Sequence, residues 1–358
     1  MYIHQALRLP VGKAGGIYKD TIPEALMAAL LQEIRARTGT LPDELLLANA
    51  FGTGGNMGRY ASLLAGYPEE IPVTTIDSQC SGGLRAVELA CALIRSGNAE
   101  RVVAGGMESR SMAPLKAYRD GDPRKKEPYY TKAVFAPGEP ITLLEAAENT
   151  ARKHAVSKAE MLHWTRESHR KAADPEIQAL LSGFIYRLAP EHRDQSVRPG
   201  TDFTALSTGQ LIDRTVSAHY NDGAAAVLLG SSPENALARV ITTYTTGWDP
   251  RFAPEAVLPA TAGVLKKGGF TADDIDIFEV NESFSLLPAI FAKEFSIPPE
   301  RINVLGGNLA YGHPFGASGT INLIHLVAAL KGKNARRGLV VLPAAGGLAT
   351  AMIIENVF

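Results

Sequence analysis

The sequence predicts a protein of the α/β class, made of two similar halves with mixed, mainly parallel sheets and a loop domain inserted in the first half. Strand-like runs alternate with helix-like runs in the first and last thirds of the 358 residues, as in sheets covered by helices. The last third repeats the first, since Ser318-Gly319 and its apolar helix follow Ser81-Gly82 at an offset of 237 residues. At the same offset, residues 339–341 match residues 102–104.

The first elements of the chain are a helix and a buried strand. Proline in the first turn of residues 21–24 favours a helix start, because proline lacks the N–H that a helix start leaves unpaired. The apolar run 45–50 predicts a buried strand. The glycine-rich stretch 52–58 after it resembles a dinucleotide fingerprint, but Met57 occupies its third glycine position. A dinucleotide site is therefore the weaker alternative there.

A cysteine stands between the next strand and helix. Residues 71–76 are rich in β-branched side chains and predict a short strand that ends before Cys80. Amides and the positive end of a helix dipole would favour a thiolate there and lower the pKa of the Cys80 thiol. Alone, the segment fits an inert buried cysteine somewhat better than a nucleophile. The helix face after it carries Leu84, Val87, Cys91 and Ile94.

The middle of the chain has a different character. Pro, Arg and Lys become frequent after residue 111, and the helical stretches 143–153 and 158–173 are separated by irregular segments. We therefore predict a loop domain inserted in the first half. The predicted units are a first half of residues 1–111 with 209–241, an inserted domain of residues 112–208, and a second half of residues 242–358.

Composition excludes several classes of function. With 36 basic and 37 acidic residues the net charge is -1, so we expect no nucleic-acid or membrane partner. No apolar run reaches the ~18 residues of a membrane span and no signal-peptide pattern opens the chain, so we expect a cytoplasmic protein. No metal-ligand spacing of Cys and His occurs, and no metal or resident cofactor is expected. Cys80 and Cys91, roughly 16 Å apart on one helix, are too distant for a disulfide.

Two turns of the last third carry polar residues. Residues 306–319 place five glycines around His313, which indicates close approach of backbone to another group. Asn281 and Glu282 follow the strand that repeats residues 43–48. Taken alone, His313 also fits a core histidine, and the Asn-Glu pair fits a helix cap.

Together these segments resemble the thiolase family. The resemblance covers the chain in order and implies a thiolase-like five-layered αβαβα fold, an acyl-CoA substrate and a homodimer or homotetramer. The motifs that carry it are the cysteine before S-G-G-L, G-G-M-E-S at 105–109, A-E-N at 147–149, N-D-G-A-A-A at 221–226, V-N-E-S-F at 280–284 and G-H-P-F-G-A-S-G at 312–319.

The resemblance also implies roles for three side chains. Cys80 would attack the thioester and carry the acyl group covalently. His313 would hold the thiolate ready and, with a water fixed by Asn281, stabilise the thioester oxygen. The amide of Cys80 and an amide of the final glycine turn would form a second oxyanion hole. Expected pocket residues are Pro343, Ala345, Gly346 and Glu282.

The final glycine turn departs from the family pattern. Pro343 stands where thiolases carry a second cysteine, the acid/base that deprotonates the incoming acyl-CoA. Ala345 replaces the usual glycine two residues on and would leave its amide available. Thr142 stands where many thiolases have a histidine, and residues 217–220 replace a Ser/Gly stretch beside the pantetheine.

Three functions are consistent with these departures. The first is an acetyl-CoA C-acetyltransferase-like acyltransferase in which His219, Glu282 or a water replaces the missing base. The second is a decarboxylating condensing enzyme of the Cys-His-Asn type, which needs no such base. The third is an acyl-CoA hydrolase or a non-catalytic acyl-CoA-binding protein.

Coenzyme A contacts are predicted at a few positions. Cations within residues 119–126 and 187–198 are candidates for the phosphates, although solvated surface is the simpler interpretation of both runs. The predicted coenzyme A-binding residues are Ser217, Ala218, His219, Phe284 and Arg198.

Overall fold

The computed structural model describes residues 1–122 and 141–357. Its strands are β1 (Tyr2–Arg8), β2 (Gly12–Lys13), β3 (Glu44–Ala48), β4 (Val73–Ile76), β5 (Arg101–Glu108), β6 (Asn221–Gly230), β7 (Ala238–Gly247), β8 (Ile277–Val280), β9 (Arg337–Ala344) and β10 (Leu348–Asn356). Its helices are α1 (Pro23–Thr38), α2 (Met57–Leu64), α3 (Gly82–Arg95), α4 (Leu143–Lys153), α5 (Lys158–Ala172), α6 (Pro175–Ser182), α7 (Val257–Gly268), α8 (Leu286–Phe295), α9 (Asn308–Tyr311) and α10 (Phe315–Lys333).

The described strands form one mixed sheet with a half-sheet from each half of the chain. The order is β4-β3-β5-β6-β1-β7-β10-β9-β8, and β2 pairs with β6. The half-sheets meet where Tyr2 and Ile3 of β1 pair with β7. Parallel pairing brings together the carboxyl ends of β3, β4 and β5 in the first half-sheet and those of β8 and β9 in the second.

The expectation of mainly parallel sheets is wrong. Among the described strands, the pairs β1–β6, β1–β7, β2–β6, β5–β6, β7–β10 and β9–β10 are antiparallel. For β9–β10 the physical reason is the length of the connection, because the three residues 345–347 are too few for a helical crossover. A short connection returns the chain beside itself in the opposite direction.

Helices and half-sheets alternate in five layers, which confirms the predicted architecture. Helices α1 and α2 cover the outer face of the first half-sheet, while α7 and α8 cover that of the second. Helices α3 and α10 fill the central layer, in contact with both half-sheets. Val102 packs into the central core and Val103 into the outer one, as the alternation of side chains along a strand requires.

The two halves share a structural detail that supports the predicted repeat. Asp43, just before β3, accepts hydrogen bonds of 2.8 Å from the amides of Glu100 and Arg101. Asp276, just before β8, accepts hydrogen bonds of 2.8 Å from the amides of Arg336 and Arg337. An aspartate at the equivalent position thus fixes the register of a parallel strand pair in each half.

Helices α4, α5 and α6 follow β5 and precede β6 in the chain. Helix α4 has the bounds predicted from the sequence, and α5 ends one residue early. The cations predicted at positions 124–126 lie outside the described residues. No helix within residues 1–122 and 141–357 is both long enough and apolar enough to cross a membrane.

Candidate active site

Cys80 lies in a single 3₁₀ turn, Gln79–Ser81, between β4 and α3. The chain enters this turn sharply, with Gln79 at φ 50°, a left-handed conformation that is uncommon outside glycine. The Cys80 side chain is only 3% exposed and packs against Phe315 and Ala344. The strand-to-helix corner predicted from the sequence is therefore present, with the thiol turned inward.

The predicted lowering of the Cys80 pKa is wrong in direction. Burial raises the pKa of the thiol to about 12, and the nearby Glu108 carboxylate adds to the rise. The backbone amides of Ala345 and Cys80 point at the sulfur and oppose it. Loss of hydration raises the pKa more than the helix dipole lowers it, because α3 begins two residues after Cys80, at Gly82. In the free protein the cysteine is therefore a neutral thiol.

His313 precedes α10 and is almost fully buried. Its Nδ1 lies 2.8 Å from Ser318 Oγ, and its Nε2 has no hydrogen-bond partner among the described residues. Burial lowers the pKa of the imidazole to about 4, so the ring is neutral at pH 7. Its edge contacts Phe315, with ring centroids 5.2 Å apart, and Phe315 also packs against Cys80. A neutral ring with a free nitrogen is suited to accept a proton.

Glycines let the helix starts of the two halves approach closely. A Cβ atom on Gly83 would lie 2.7 Å from the carbonyl oxygen of Gly316, and one on Gly319 would lie 2.5 Å from the amide nitrogen of Leu84. Distances this short exclude a side chain at either position. The crossing of α3 and α10 brings the Cys80 turn beside the His313 segment and explains the glycine-rich sequence of both.

Asn281, directly after β8, is held by a polar network. Its Oδ1 accepts a 2.9 Å hydrogen bond from the Ser283 amide and another from the Ser283 hydroxyl, and its Nδ2 donates to Asn308 Oδ1 at 2.9 Å. Asn308 also accepts a 3.0 Å bond from Asn322. Sequence reasoning missed Asn308, although it stands in the same glycine-rich segment as His313.

Cys80 and Pro343 line the same pocket. Pro343 pairs with Ala349 of β10 beyond the end of β8, so β9 has one strand neighbour there and tolerates a residue without an N–H. Gly346 lines the adjoining cavity instead. The complete wall of the Cys80 pocket is Cys80, Leu143, Pro254, Ser283, Phe284, Leu287, Pro343, Ala344 and Ala345.

Glu282 and His219, the side chains expected to replace the missing base, do not line this pocket. The Glu282 carboxylate accepts hydrogen bonds of 2.6 Å from Ser168 and 2.7 Å from Asn303, and burial raises its pKa. His219 directs its Nε2 at the Arg198 guanidinium, 3.4 Å away. Glu282 ties α5 to the second half, and His219 faces a cation. That either one serves as a base at Cys80 stays a prediction.

The predicted coenzyme A stretch lies beside the pocket. Ser217 forms a β-bridge with Phe284, and the Ala218 amide donates a 2.9 Å hydrogen bond to the carbonyl of Ser283. Because Ser283 and Phe284 belong to the pocket wall, Ser217 and Ala218 border its rim. Arg198 lies over the Phe203 ring at 5.3 Å, and burial lowers the pKa of its guanidinium. Contact of these residues with coenzyme A stays a prediction.

Sequence reasoning also missed Glu108, the last residue of β5, although it belongs to the G-G-M-E-S motif. The carboxylate is 1% exposed and accepts hydrogen bonds from the amides of Ala50 (3.0 Å), Phe51 (3.2 Å) and Gly316 (3.2 Å) and from the side chain of Asn49 (2.9 Å). It therefore joins the loop after β3 to the start of α10. Burial raises its pKa to about 7, against the pull of the three amides.

The charge of the Glu108 carboxylate has a testable effect on the pKa of the Cys80 thiol. Above pH 7 Glu108 is ionised and disfavours the Cys80 thiolate, so Glu108→Gln should lower the pKa of the thiol. We expect iodoacetamide to alkylate Cys80 about tenfold faster at pH 9 in this variant, equal to roughly 1.4 kcal/mol of electrostatic interaction. Asp77→Asn is the comparison variant, expected to have a smaller effect: the Asp77 charge also raises the pKa of the thiol, but less than Glu108 does, because Asp77 is exposed and its charge is screened. An unchanged rate in a folded Glu108→Gln protein would leave Glu108 a purely structural role.

The matching helix starts of two similar halves thus place the turn of a buried cysteine beside the segment of a neutral histidine on an α/β scaffold. The family model of the thiolase N-terminal domain matches residues 1–232, and that of the thiolase C-terminal domain matches residues 234–356. The chain belongs to the thiolase family.

Named relatives match over nearly their whole length. An acetyl-CoA acetyltransferase of Rhizobium meliloti is 31% identical, and the cytosolic acetyl-CoA acetyltransferase of Mus musculus is 30% identical; each alignment covers 99% of this chain and 98% of the relative. The crystal structure of the Bacillus anthracis acetyl-CoA acetyltransferase superposes with a TM-score of 0.91 at 27% identity, covering 99% of this chain and 98% of that one. The thiolase fold thus extends over the whole chain.

Proposed function

We propose that the protein transfers acyl groups from coenzyme A thioesters through a covalent acyl-enzyme on Cys80. The observation that carries this proposal is the position of the sulfur: it lies in a pocket wall, with the amides of Cys80 and Ala345 directed at it. Preformed donors of this kind stabilise the oxyanion that develops when a thioester is attacked. The names of the relatives make acetyl-CoA the first donor to test.

In the proposed acylation step, both reacting side chains start neutral. The Cys80 sulfur attacks the thioester carbonyl carbon while its proton passes to Nε2 of His313, with Nδ1–H held by Ser318. The bond between carbon and the coenzyme A sulfur then breaks, and His313 returns the proton to the departing thiolate. Starting from a neutral thiol avoids the cost of a buried thiolate before the substrate is present.

Asn281 has a supporting role in this proposal. Its side chain is fixed by Ser283 and Asn308, and one N–H of its amide is not used in the hydrogen bonds to these residues. That N–H would hold a water which, with His313, faces the thioester oxygen of the second substrate. A rigid donor costs little reorganisation when charge develops.

Pro343 limits the reaction of the acyl-enzyme with a second substrate. Its side chain neither donates nor accepts a proton, and it lines the pocket at the position where the family resemblance places an acid/base cysteine. A general base supplies about 10²–10⁴-fold in rate. We therefore propose that acylation is retained and that carbon–carbon bond formation by proton abstraction is slow.

The presence of Pro343 in the pocket wall also favours a second candidate function, decarboxylating condensation. Loss of CO₂ from a malonyl thioester generates the carbanion without a base, so a proline in the pocket wall is no obstacle. The acyl-enzyme on Cys80 is common to both candidates, and only the second substrate differs.

Exchange of labelled coenzyme A into acetyl-CoA tests the proposal. A reversible Cys80 acyl-enzyme predicts exchange in the absence of any other acceptor, because free coenzyme A attacks the acyl-enzyme. Release of acetate without exchange would instead identify a hydrolase, and CO₂ release from malonyl-CoA would favour the decarboxylating candidate. A protein that binds acetyl-CoA without exchange or hydrolysis would contradict acyl transfer.

A further inference from the structure

We infer that Asn308 is a positioning residue for the second substrate: its side chain sets the direction of the Asn281 amide and ties that amide to the chain segment of His313. This inference rests on the proposed function, in which Asn281 and His313 face the thioester oxygen of the second substrate. It assigns a role to a residue that none of the sequence motifs includes.

The Asn308 side chain joins two segments of the second half. Its Oδ1 accepts a 2.9 Å hydrogen bond from Asn281 Nδ2, and its Nδ2 donates a 3.3 Å hydrogen bond to the carbonyl oxygen of Gly312. Gly312 directly precedes His313 and has a φ of 106°, a conformation that favours glycine. One amide group therefore connects the segment after β8 with the turn that leads into His313.

Backbone groups leave a single direction for each of the two side-chain amides. Asn308 Oδ1 faces the backbone N–H of Glu282 at 3.3 Å, which can only donate, while its Nδ2 faces the Gly312 carbonyl, which can only accept. Asn281 Oδ1 in turn accepts from the Ser283 amide at 2.9 Å. Reversing either side chain would leave buried polar groups unpaired, which is costly. Asn281 therefore offers a substrate an N–H and not an oxygen.

Helix α10 supports both of the groups proposed to face the second substrate. Asn322 donates a 3.0 Å hydrogen bond to Asn308 Oδ1 and so holds Asn281 through Asn308. Ser318 lies 2.8 Å from Nδ1 of His313. Positions 318 and 322 are four residues apart, so they lie on the same face of the helix. The Asn281 amide and the His313 ring are thus both fixed relative to one rigid element.

Loss of the Asn308 side chain should act on Asn281 and leave His313 in place. Ser283 binds only the oxygen end of the Asn281 amide, so the nitrogen end would lose its anchor. His313 would keep the 3.2 Å hydrogen bond from its backbone amide to Asn221 Oδ1 and the contact with Ser318. We therefore expect Asn308→Ala to weaken the binding of an anionic oxygen by about tenfold, the effect of one lost buried hydrogen bond.

The test is calorimetric binding of two thioethers of coenzyme A, which have no carbonyl carbon for Cys80 to attack. S-carboxymethyl-CoA carries an anionic oxygen close to where the thioester oxygen of a substrate lies, and S-propyl-CoA has the same length without one. We expect the wild type to prefer the carboxymethyl compound. In Asn308→Ala its affinity should fall about tenfold, while the affinity for S-propyl-CoA and the rate of Cys80 acylation by acetyl-CoA change less than about twofold.

Two further variants act as controls. His325→Ala removes a buried polar ring of α10 that packs against Tyr311, and it should lower thermal stability while both affinities stay at the wild-type values. Asn322→Ala removes one hydrogen bond to Asn308 and should reduce the carboxymethyl affinity to a smaller extent, which provides a second variant if Asn308→Ala does not fold.

The preference for the carboxymethyl compound decides the outcome. A folded Asn308→Ala protein that keeps the wild-type preference would overturn the role of Asn308, as would an unchanged Asn322→Ala protein where the first variant does not fold. A wild type without any preference would also overturn it. A wild type that shows the preference, loses it in Asn308→Ala and yet forms no adduct with acetyl-CoA would support the role of Asn308 and overturn the proposed acyl-enzyme.

Discussion

Replacing His313 with alanine is expected to slow acylation of Cys80 by acetyl-CoA by about 10²–10⁴-fold. The thiol is neutral because burial raises its pKa to about 12, so a thioester is attacked only when a neighbouring group takes the proton. Nε2 of His313 is buried, neutral and without a hydrogen-bond partner among the described residues, as that task requires. Single-turnover release of coenzyme A from acetyl-CoA measures the effect.

His325 provides the control for this prediction. It lies on α10, is 2% exposed and also has an Nε2 without a partner among the described residues, but its ring packs against Tyr311, whereas that of His313 packs against Phe315, which contacts Cys80. His325→Ala should change thermal stability and leave the acylation rate close to that of the wild type. Equal loss of acylation in both variants, or none in His313→Ala, would contradict the assigned role of His313.

Replacing Pro343 with cysteine is expected to raise the formation of acetoacetyl-CoA from acetyl-CoA by about 10²–10⁴-fold over the wild type. The new thiol would stand in the same pocket as Cys80, at the position where the family resemblance implies an acid/base cysteine. Product formation should increase while the rate of Cys80 acylation changes little, because acylation does not use this group.

The Pro343→Ala variant distinguishes the effect of the new thiol from the effect of removing the proline ring. This variant opens the same space in the pocket wall without supplying a base, so its condensation rate should stay at the wild-type level. An equal gain in the alanine and cysteine variants would assign the effect to space. No gain in either, with acylation intact, would show that the pocket has diverged at further positions.

Much of the fold can be predicted from local sequence. Apolar periodicity and caps set the bounds of α4, and the repeat at a fixed offset indicates two similar halves with helices between their sheets. Strand direction is harder to predict, because it depends on the length of each connection. The glycines of residues 345–347 indicate a turn, but it is the shortness of that turn that requires β9 and β10 to be antiparallel.

The site is predictable where a residue belongs to a motif and is missed where it acts through distant contacts. Cys80, His313 and Pro343 stand out in their local sequence. The pKa direction of Cys80 does not, because it depends on burial by Phe315 and on the charge of Glu108, both remote in the chain.

The central claim, that Cys80 carries the acyl group, is tested most directly by intact-protein mass spectrometry after mixing with acetyl-CoA. The wild type should gain one acetyl group, Cys80→Ala none, and Cys91→Ala one, because Cys91 is buried in the central core and absent from the pocket wall. A wild type without an adduct, or an adduct that persists in Cys80→Ala, would contradict the claim.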